Sequence, residues 1–392
     1  MERLRYIGIS IVETFLRVLP FPTKTGLIIL GSPGADAPVF LTGNFRLTVE
    51  RVRHALRGSD AYLLVANSRG VNVWCAATGG HLTHHDVVSV LKTSGIEALV
   101  QHRTVVLPQL AATGIESKRV QEASGWHVVW GPVEADALPE FVRRGLVKTE
   151  EMRRVRFPWR RRLEMAVAWA FPISLLTLLT LPLWPRAVLP LVALIWFLSL
   201  LIFLSFPWYR DRLRPSRPRV GFVLFDFGAR GATLLLWGVF LGGLSALALA
   251  LDEFSWDLLL RWGLLSFVVV LILSLDLTGS TPVAKSGLHE DRLLRIELDD
   301  ERCKGAGACE DVCPTGVFHL NSDRSDRPKR HLVSLAHEER CVQCGACLVQ
   351  CPFDALHFRH PDGKIVTPET VRRFKLNLMG IRRIPEKGLD DL

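Results

Sequence analysis

Seven of the eight cysteines fall between Cys303 and Cys351, and their spacing is that of metal ligands. The second group, Cys341-Val-Gln-Cys344-Gly-Ala-Cys347-Leu-Val-Gln-Cys351-Pro352, is a complete C-x2-C-x2-C-x3-C-P run. Three thiolates at this spacing wrap one corner of an iron–sulfur cube, and the fourth cysteine reaches across to a second cluster. The first group, Cys303-Lys-Gly-Ala306-Gly-Ala-Cys309-Glu-Asp-Val-Cys313-Pro314, keeps the same frame with Ala306 where a cysteine belongs. Crossed ligation gives Cys341, Cys344, Cys347 and Cys313 one complete [4Fe–4S] cluster. Cys303, Cys309 and Cys351 are left one thiolate short. That half holds [3Fe–4S], a labile [4Fe–4S] with a non-thiolate ligand on its fourth iron, or no cluster. The spacing speaks against disulfides, and clusters of this kind belong in a reducing compartment, so this part of the chain is expected in the cytoplasm.

The eighth cysteine stands alone in Asn72-Val73-Trp74-Cys75-Ala76-Ala77. Residues 24–147 around it alternate between apolar runs and amphipathic windows. Strands are expected at Gly26–Leu30, Pro38–Thr42, Ala61–Ala66, Ala98–Gln101 and Trp126–Trp130, and helices at Leu47–Leu56, His84–Thr93 and Ser117–Ser124. Such alternation predicts an α/β sheet with helices on its faces. Ligands bind such sheets at the carboxyl ends of strands, and the Cys75 segment follows one. His81, His84 and His85 are expected as ordinary residues at a helix start rather than as metal ligands.

Between the two chemistries the chain is nearly free of charge. Apolar spans are expected at about 164–184, 187–206, 231–251 and 258–276. Runs of about 18–21 residues suffice to cross the hydrocarbon of a bilayer as helices. Arg153, Arg154, Arg156 and Arg160–Arg162 precede the first span, and Arg210, Arg212, Arg214, Arg217 and Arg219 separate the second from the third. The loop between the third and fourth, Asp252–Asp257, is acidic. This is positive-inside patterning, with both termini cytoplasmic and the basic runs serving as topology signals and lipid headgroup contacts. The net charge of +9 is thereby accounted for, and nucleic-acid binding is not expected. No histidine occurs in residues 164–276, which excludes bis-histidine haem there. Ahead of the α/β region, Ile7, Ile11, Phe15 and Leu19 share one face of a short helix, expected to point into the core, with a helix lying on the membrane surface as the alternative.

The fold class is therefore multidomain: α/β over residues 1–150, all-α membrane over 151–285, α+β over 290–360 as a bacterial two-cluster ferredoxin, and a tail over 361–392. Three stretches carry a resemblance: Val71–Ala77, His102–Gln109, and Gly131-Pro132 after a strand. Together they resemble the corrinoid-binding domain of the mercury-methylating corrinoid protein, a relative of the corrinoid iron–sulfur protein of the acetyl-CoA pathway. The carboxyl-terminal cysteines resemble the two-cluster ferredoxin partner of that system, so the chain looks like a fusion of the two.

The resemblance implies a Rossmann-like corrinoid-binding domain with a cap helix, on which Cys75 is the lower axial cobalt ligand. Asn72, Val73, Trp74, Ala76 and Ala77 would shape the cofactor site. A thiolate is a strong electron donor to a metal. Donation from below prepares the methyl group for transfer as a carbanion or radical. The implied function is membrane-anchored, corrinoid-dependent methyl transfer, with Hg(II) or another soft metal as candidate acceptor. A cobalamin-type corrinoid, a methylfolate-dependent methyl-donor methyltransferase and a low-potential reductant are implied as well, with membrane lipid as a further partner. The chain departs from the resembled pattern at Thr78-Gly79, at Ala306, in being fused, and in a tail, Gly380–Leu392, that lacks a cysteine pair. Two other functions fit parts of the pattern: an electron-transfer subunit of a membrane redox complex, and a corrinoid-binding paralogue without turnover.

Overall fold

The computed structural model describes residues 2–17, 19–213, 227–275, 277, 281–283, 294–321 and 332–374. Expectations for Arg214, Arg217, Arg219 and the tail beyond residue 374 lie outside these.

The chain opens with α1 (Glu2–Phe15), β1 (Gly26–Leu30), β2 (Val39–Gly43), α2 (Arg46–Ala55), β3 (Ala61–Ala66), α3 (Val73–Thr78) and α4 (His84–Thr93). It continues with β4 (Thr104–Leu107), α5 (Ser117–Ser124), β5 (His127–Trp130), α6 (Leu138–Arg143) and α7 (Glu150–Arg153). The strands form one sheet in the order β1-β3-β2-β4-β5, antiparallel only at β1. β2 and β3 are buried throughout, as parallel strands covered on both faces must be. No strand forms at Ala98–Gln101. Gly95 is left-handed with φ 74°, and Ile96–Ala98 makes a 3-10 turn. The β-branched run Thr104-Val105-Val106 supplies the strand instead. The chain steps from β2 out to β3 and back across to β4. Adjacent parallel strands whose connections leave in opposite directions open a crevice at their carboxyl ends.

Four long helices follow: α8 (Trp159–Thr177), α9 (Pro185–Tyr209), α10 (Phe227–Ala250) and α11 (Trp256–Leu273). All four are long and apolar enough to cross a membrane. α8 starts earlier than the apolar run suggests, taking in Arg160–Arg162. Its helical stretch ends at Thr180, short of residue 184. Pro182 and Pro185 lack the amide that would continue it, and Pro185 instead opens α9. Ser199 Oγ donates to the Ala166 carbonyl at 2.8 Å between α8 and α9. Trp237 Nε1 donates to Ser266 Oγ at 2.9 Å between α10 and α11.

The last unit contains β6 (Arg295–Leu298), α12 (Ala308–Val312), β7 (Phe318–Leu320), β8 (Val333–Leu335), α13 (Ala346–Gln350), β9 (Leu356–Arg359), β10 (Ile365–Val366) and α14 (Pro368–Phe374). β10-β9-β6 and β7-β8 form two antiparallel sheets around the cysteine loops.

Candidate functional site

α3 is a short helix fixed at both ends. Asn72 Oδ1 accepts the Cys75 amide at 3.0 Å, satisfying an amide that the first helical turn leaves without a partner. At the other end a Cβ on Gly79 would lie 2.8 Å from the Cys75 carbonyl oxygen, so the chain needs glycine to turn away there. Asn72, Val73 and Trp74 line the crevice above the sheet, with Leu41 and Thr42 from β2, Leu107 at the end of β4, Pro108 after it, and Gly131-Pro132 after β5. A Cβ on Gly131 would meet the Val106 side chain at 2.9 Å, so glycine keeps that wall open. Cys75 is half-buried at the next position of α3. Ala76 and Ala77, expected at the cofactor site, are fully buried in the core instead. Their small size lets the chain at Gly114 pass close, where a Cβ would lie 2.5 Å from the Ala77 carbonyl oxygen.

The crevice also holds charges that the pattern of motifs did not reveal. Arg17, Arg51, Arg161 and Glu134 line it. Glu164 Oε2 accepts from Arg17 at 3.1 Å, Arg51 at 3.0 Å and Arg161 at 3.0 Å, and Arg161 also reaches Glu134 at 2.9 Å. Arg161 is thus an inward, paired residue rather than a headgroup contact, because two carboxylates face it. Burial, and then the neighbouring Arg51, pull the Arg17 pKa below the usual arginine value. The Cys75 thiol lies within electrostatic range of Arg17 and acts on it in the opposite sense. One signal was available in the sequence: Glu164 is a single acid at the mouth of an apolar helix, where a carboxylate needs cationic partners.

Cys303, Cys309 and Cys351 border one cavity together with Ala306. The thiols that act on Cys309 are Cys351 and Cys303; burial first, then they, push Cys309 up to about 12. Burial, then Cys344, Cys341, Cys313 and Cys309, raise the Cys347 thiol well above its usual value. Burial of this kind favours the neutral thiol unless a cation sits among the sulfurs, a charge that iron would supply. Among the described residues no three Cys, His, Asp or Glu side chains converge as a single ion would need. Sulfurs about 3.8 Å apart would be required for a tetrahedral ion, whereas a cluster fills a larger space between its thiolates. Among the described residues, which include every cysteine, no disulfide forms. Backbone amides point at the sulfurs: Val317 at Cys313 (3.3 Å), Ala355 at Cys351 (3.4 Å) and Gln343 at Cys341 (3.4 Å). Such bonds favour the thiolate and tune a cluster's potential.

The four-thiol half is packed against the α/β domain. Val312, Ala346 and Cys344 join the same apolar core as Ala76, Leu107, Ala111 and Ala112. Gln350 Nε2 donates to the Ala112 and Ile115 carbonyls at 2.7 and 2.6 Å, and its Oε1 accepts from Ser117 at 2.8 Å. Lys148 Nζ donates to Gln109 Oε1 at 3.0 Å and to the Asp311 carbonyl at 2.7 Å, and pairs with the Asp311 carboxylate at 3.0 Å. Arg153 pairs with Glu310 at 3.7 Å, so this arginine too is engaged by protein rather than headgroups. The 3-10 turn Gln109–Thr113 therefore has α3 on one side and α13 on the other. A cavity beside Cys303, Ala306, Cys309 and Cys351 receives no residue from the α/β domain.

Residues 17–142 match the family described as CO dehydrogenase/acetyl-CoA synthase delta subunit, and residues 302–355 match the 4Fe-4S dicluster domain. The α/β region is similar to the gamma subunit of the acetyl-CoA decarbonylase/synthase complex of Methanopyrus kandleri, at 36% identity over 34% of this chain and 29% of the relative. It is also similar to the gamma subunits of Archaeoglobus fulgidus (36% identity, 30% of this chain, 25% of the relative) and Methanothermobacter thermautotrophicus (33%, 31%, 27%). The chain spans less than a third of the length of these relatives. The matches support the relation of the α/β region to the corrinoid protein of the acetyl-CoA pathway, and that of the carboxyl-terminal region to iron–sulfur ferredoxins.

Proposed function

We propose that this protein is a membrane-anchored corrinoid methyl-transfer protein carrying its own electron donor. The observation that carries the proposal is the packing of Cys344, Ala346 and Val312 into the core of the domain that presents Cys75. A bound corrinoid supplies a cobalt centre that takes up and passes on a methyl group once it has been reduced. The chain's own residues define the rest. Asn72 holds the first turn of α3 so that Cys75 stands at a fixed height beside the crevice. Cys75 would hold the metal as thiolate, with Arg17 as a nearby counter-charge. Cys313, Cys341, Cys344 and Cys347 hold the [4Fe–4S] cluster, whose class of potential extends to about −700 mV, low enough for the task. Cys303, Cys309 and Cys351 hold [3Fe–4S] or a labile [4Fe–4S] cluster. Fusion keeps donor and acceptor at high effective concentration.

Four apolar helices anchor the chain in the cytoplasmic membrane, with both soluble ends on the cytoplasmic side. The methyl group is delivered by a methylfolate-dependent methyltransferase. The acceptor is a soft metal ion, Hg(II) being the candidate, brought in as a complex with a small thiol, because clusters and cobalt occupy every cysteine of this chain. Purification from a cobalamin-supplied host under anaerobic conditions tests the reading. Corrinoid should copurify, and Cys75→Ala should retain it while shifting its visible spectrum and abolishing methyl transfer. Absence of corrinoid would leave an electron-transfer subunit instead, and an unchanged spectrum would make Cys75 structural.

A further inference from the structure

α1 is turned the opposite way from the core-facing helix that its sequence suggests. Its stripe Leu4, Ile7, Ile11, at one-turn spacing, is exposed by 74%, 44% and 54%. The opposite face carries half-buried Tyr6 and buried Ile9 and Glu13, with Tyr6 and Glu13 meeting α2 of the α/β domain. Polar contacts dominate there: Arg5 pairs with Glu50 at 3.0 Å, Tyr6 stacks on His54 at 4.1 Å, and buried Glu13 pairs with Arg46 at 3.3 Å. A water-facing helix puts its apolar stripe inward and its charges outward. Here the polar side is inward and the apolar side is open. The exposed stripe ends on Phe15, at the same helical phase. Its ring lies 5.0 Å from Phe171 of α8 and 6.5 Å from Trp196 of α9. The open face of α1 thus runs directly onto two of the long apolar helices.

We propose that α1 is an interfacial membrane helix, lying in the headgroup–acyl boundary of the bilayer with Leu4, Ile7, Ile11 and Phe15 towards the lipid chains. This rests on the reading that α8–α11 cross that bilayer. The continuity through Phe15 selects lipid over a protein partner, because whatever surrounds α8 and α9 at Phe171 and Trp196 also reaches the stripe. Charged side chains of such helices stay on the polar side, as Arg5 and Glu13 do. α1 thereby seats the α/β domain flat on the membrane and delivers Arg17, two residues beyond its end, to the crevice.

The test uses the full chain with its clusters, reconstituted in phosphatidylcholine vesicles containing a diazirine-bearing lipid. Labelled peptides are mapped by mass spectrometry after irradiation. Label is expected within residues 4–15 as well as on outward positions of α10 such as Leu235 and Val239, which are exposed by 56% and 63%. The double variant Ile7→Glu/Ile11→Glu should lower labelling of α1 by about tenfold and leave that of α10 unchanged. Label on α10 but none on α1 would overturn the interfacial helix and leave the spans standing. No label on either would remove the membrane reading with it. Unchanged α1 labelling in the double variant, or α1 cross-linked to α1 of a second copy with no lipid attached, would overturn the proposal in favour of an incidental or a dimer contact.

Discussion

The loops Cys303–Cys309 and Cys341–Cys347 follow nearly the same path. Gly305 and Gln343, at matching positions, are both left-handed, with φ 72° and 52°, and so are Gly307 and Gly345, with φ 73° and 78°. Each loop runs into a helix of five residues. The last cysteine of each motif accepts an amide four residues on, from Val317 in one half and Ala355 in the other. Loss of the cysteine at Ala306 has left the backbone as it was. What differs is the surroundings. The half with four thiols shares a core with the α/β domain, and the half with three abuts the cavity at Ala306.

The sharpest way to break this comparison is to remove one thiol from each half. Cys347→Ala should abolish the complete cluster and slow reduction of bound corrinoid by at least about 100-fold. Cys303→Ala should change it by no more than about threefold. Anaerobic stopped-flow spectra of the corrinoid measure both, and equal losses would show that the halves act as one unit. Restoring the missing ligand is the converse. Ala306→Cys should raise the iron content from about seven to eight per chain and abolish the [3Fe–4S] paramagnetic signal. Corrinoid reduction should stay within about twofold of the parent.

The packed face offers a smaller lever. Gln350→Leu leaves the Ala112 and Ile115 carbonyls without that donor, at a cost of about 1–3 kcal/mol, and should slow corrinoid reduction by several-fold with the iron content unchanged. The smallest effect concerns Lys148, whose pKa burial pulls down to about 8 against the attraction of Asp311. In an undocked, solvated state the same amine binds its proton up to about 10.4. Between these values the undocked state holds more protons, so docking should strengthen as pH rises from about 8 to 10, by no more than about 1.4 kcal/mol per pH unit. Denaturant midpoints at several pH values measure this, and Lys148→Met should flatten the slope.

Much of the molecule is legible along the chain. β1, β3, α4 and α5 have the limits that their local pattern predicts, because apolar periodicity and caps are properties of adjacent residues. Asn72 three positions before Cys75, and Thr83 three before Asp86, are capping signals of that kind. Where local preference and apolar content disagree, the sequence misleads. Ala98–Gln101 has the composition of a strand, yet the left-handed Gly95 starts a turn there. Arg160–Arg162 have the composition of a headgroup contact, yet Arg161 finds Glu134 and Glu164. The helical phase of Ile7, Ile11 and Phe15 is plain in the sequence. Its direction is not, because phase says which residues share a face and nothing about what that face meets.

By itself the sequence determined the candidate ligands: thiolate chemistry is fixed by residue type and by spacings of two or three residues. It also determined the deficit at Ala306, the four apolar helices and the isolated position of Cys75. Only the tertiary structure decided which half of the ferredoxin adjoins the α/β domain, since Gln350 and Ala112 are 238 residues apart. It alone brought Arg17, Arg51 and Arg161 to one carboxylate, and set the crevice between β2 and β4 by the order of strands. The physical reason is one of range. Ligand spacing and helical periodicity act over a few bonds, whereas docking, counter-charge and burial depend on contacts that the chain makes only when its distant parts are packed together.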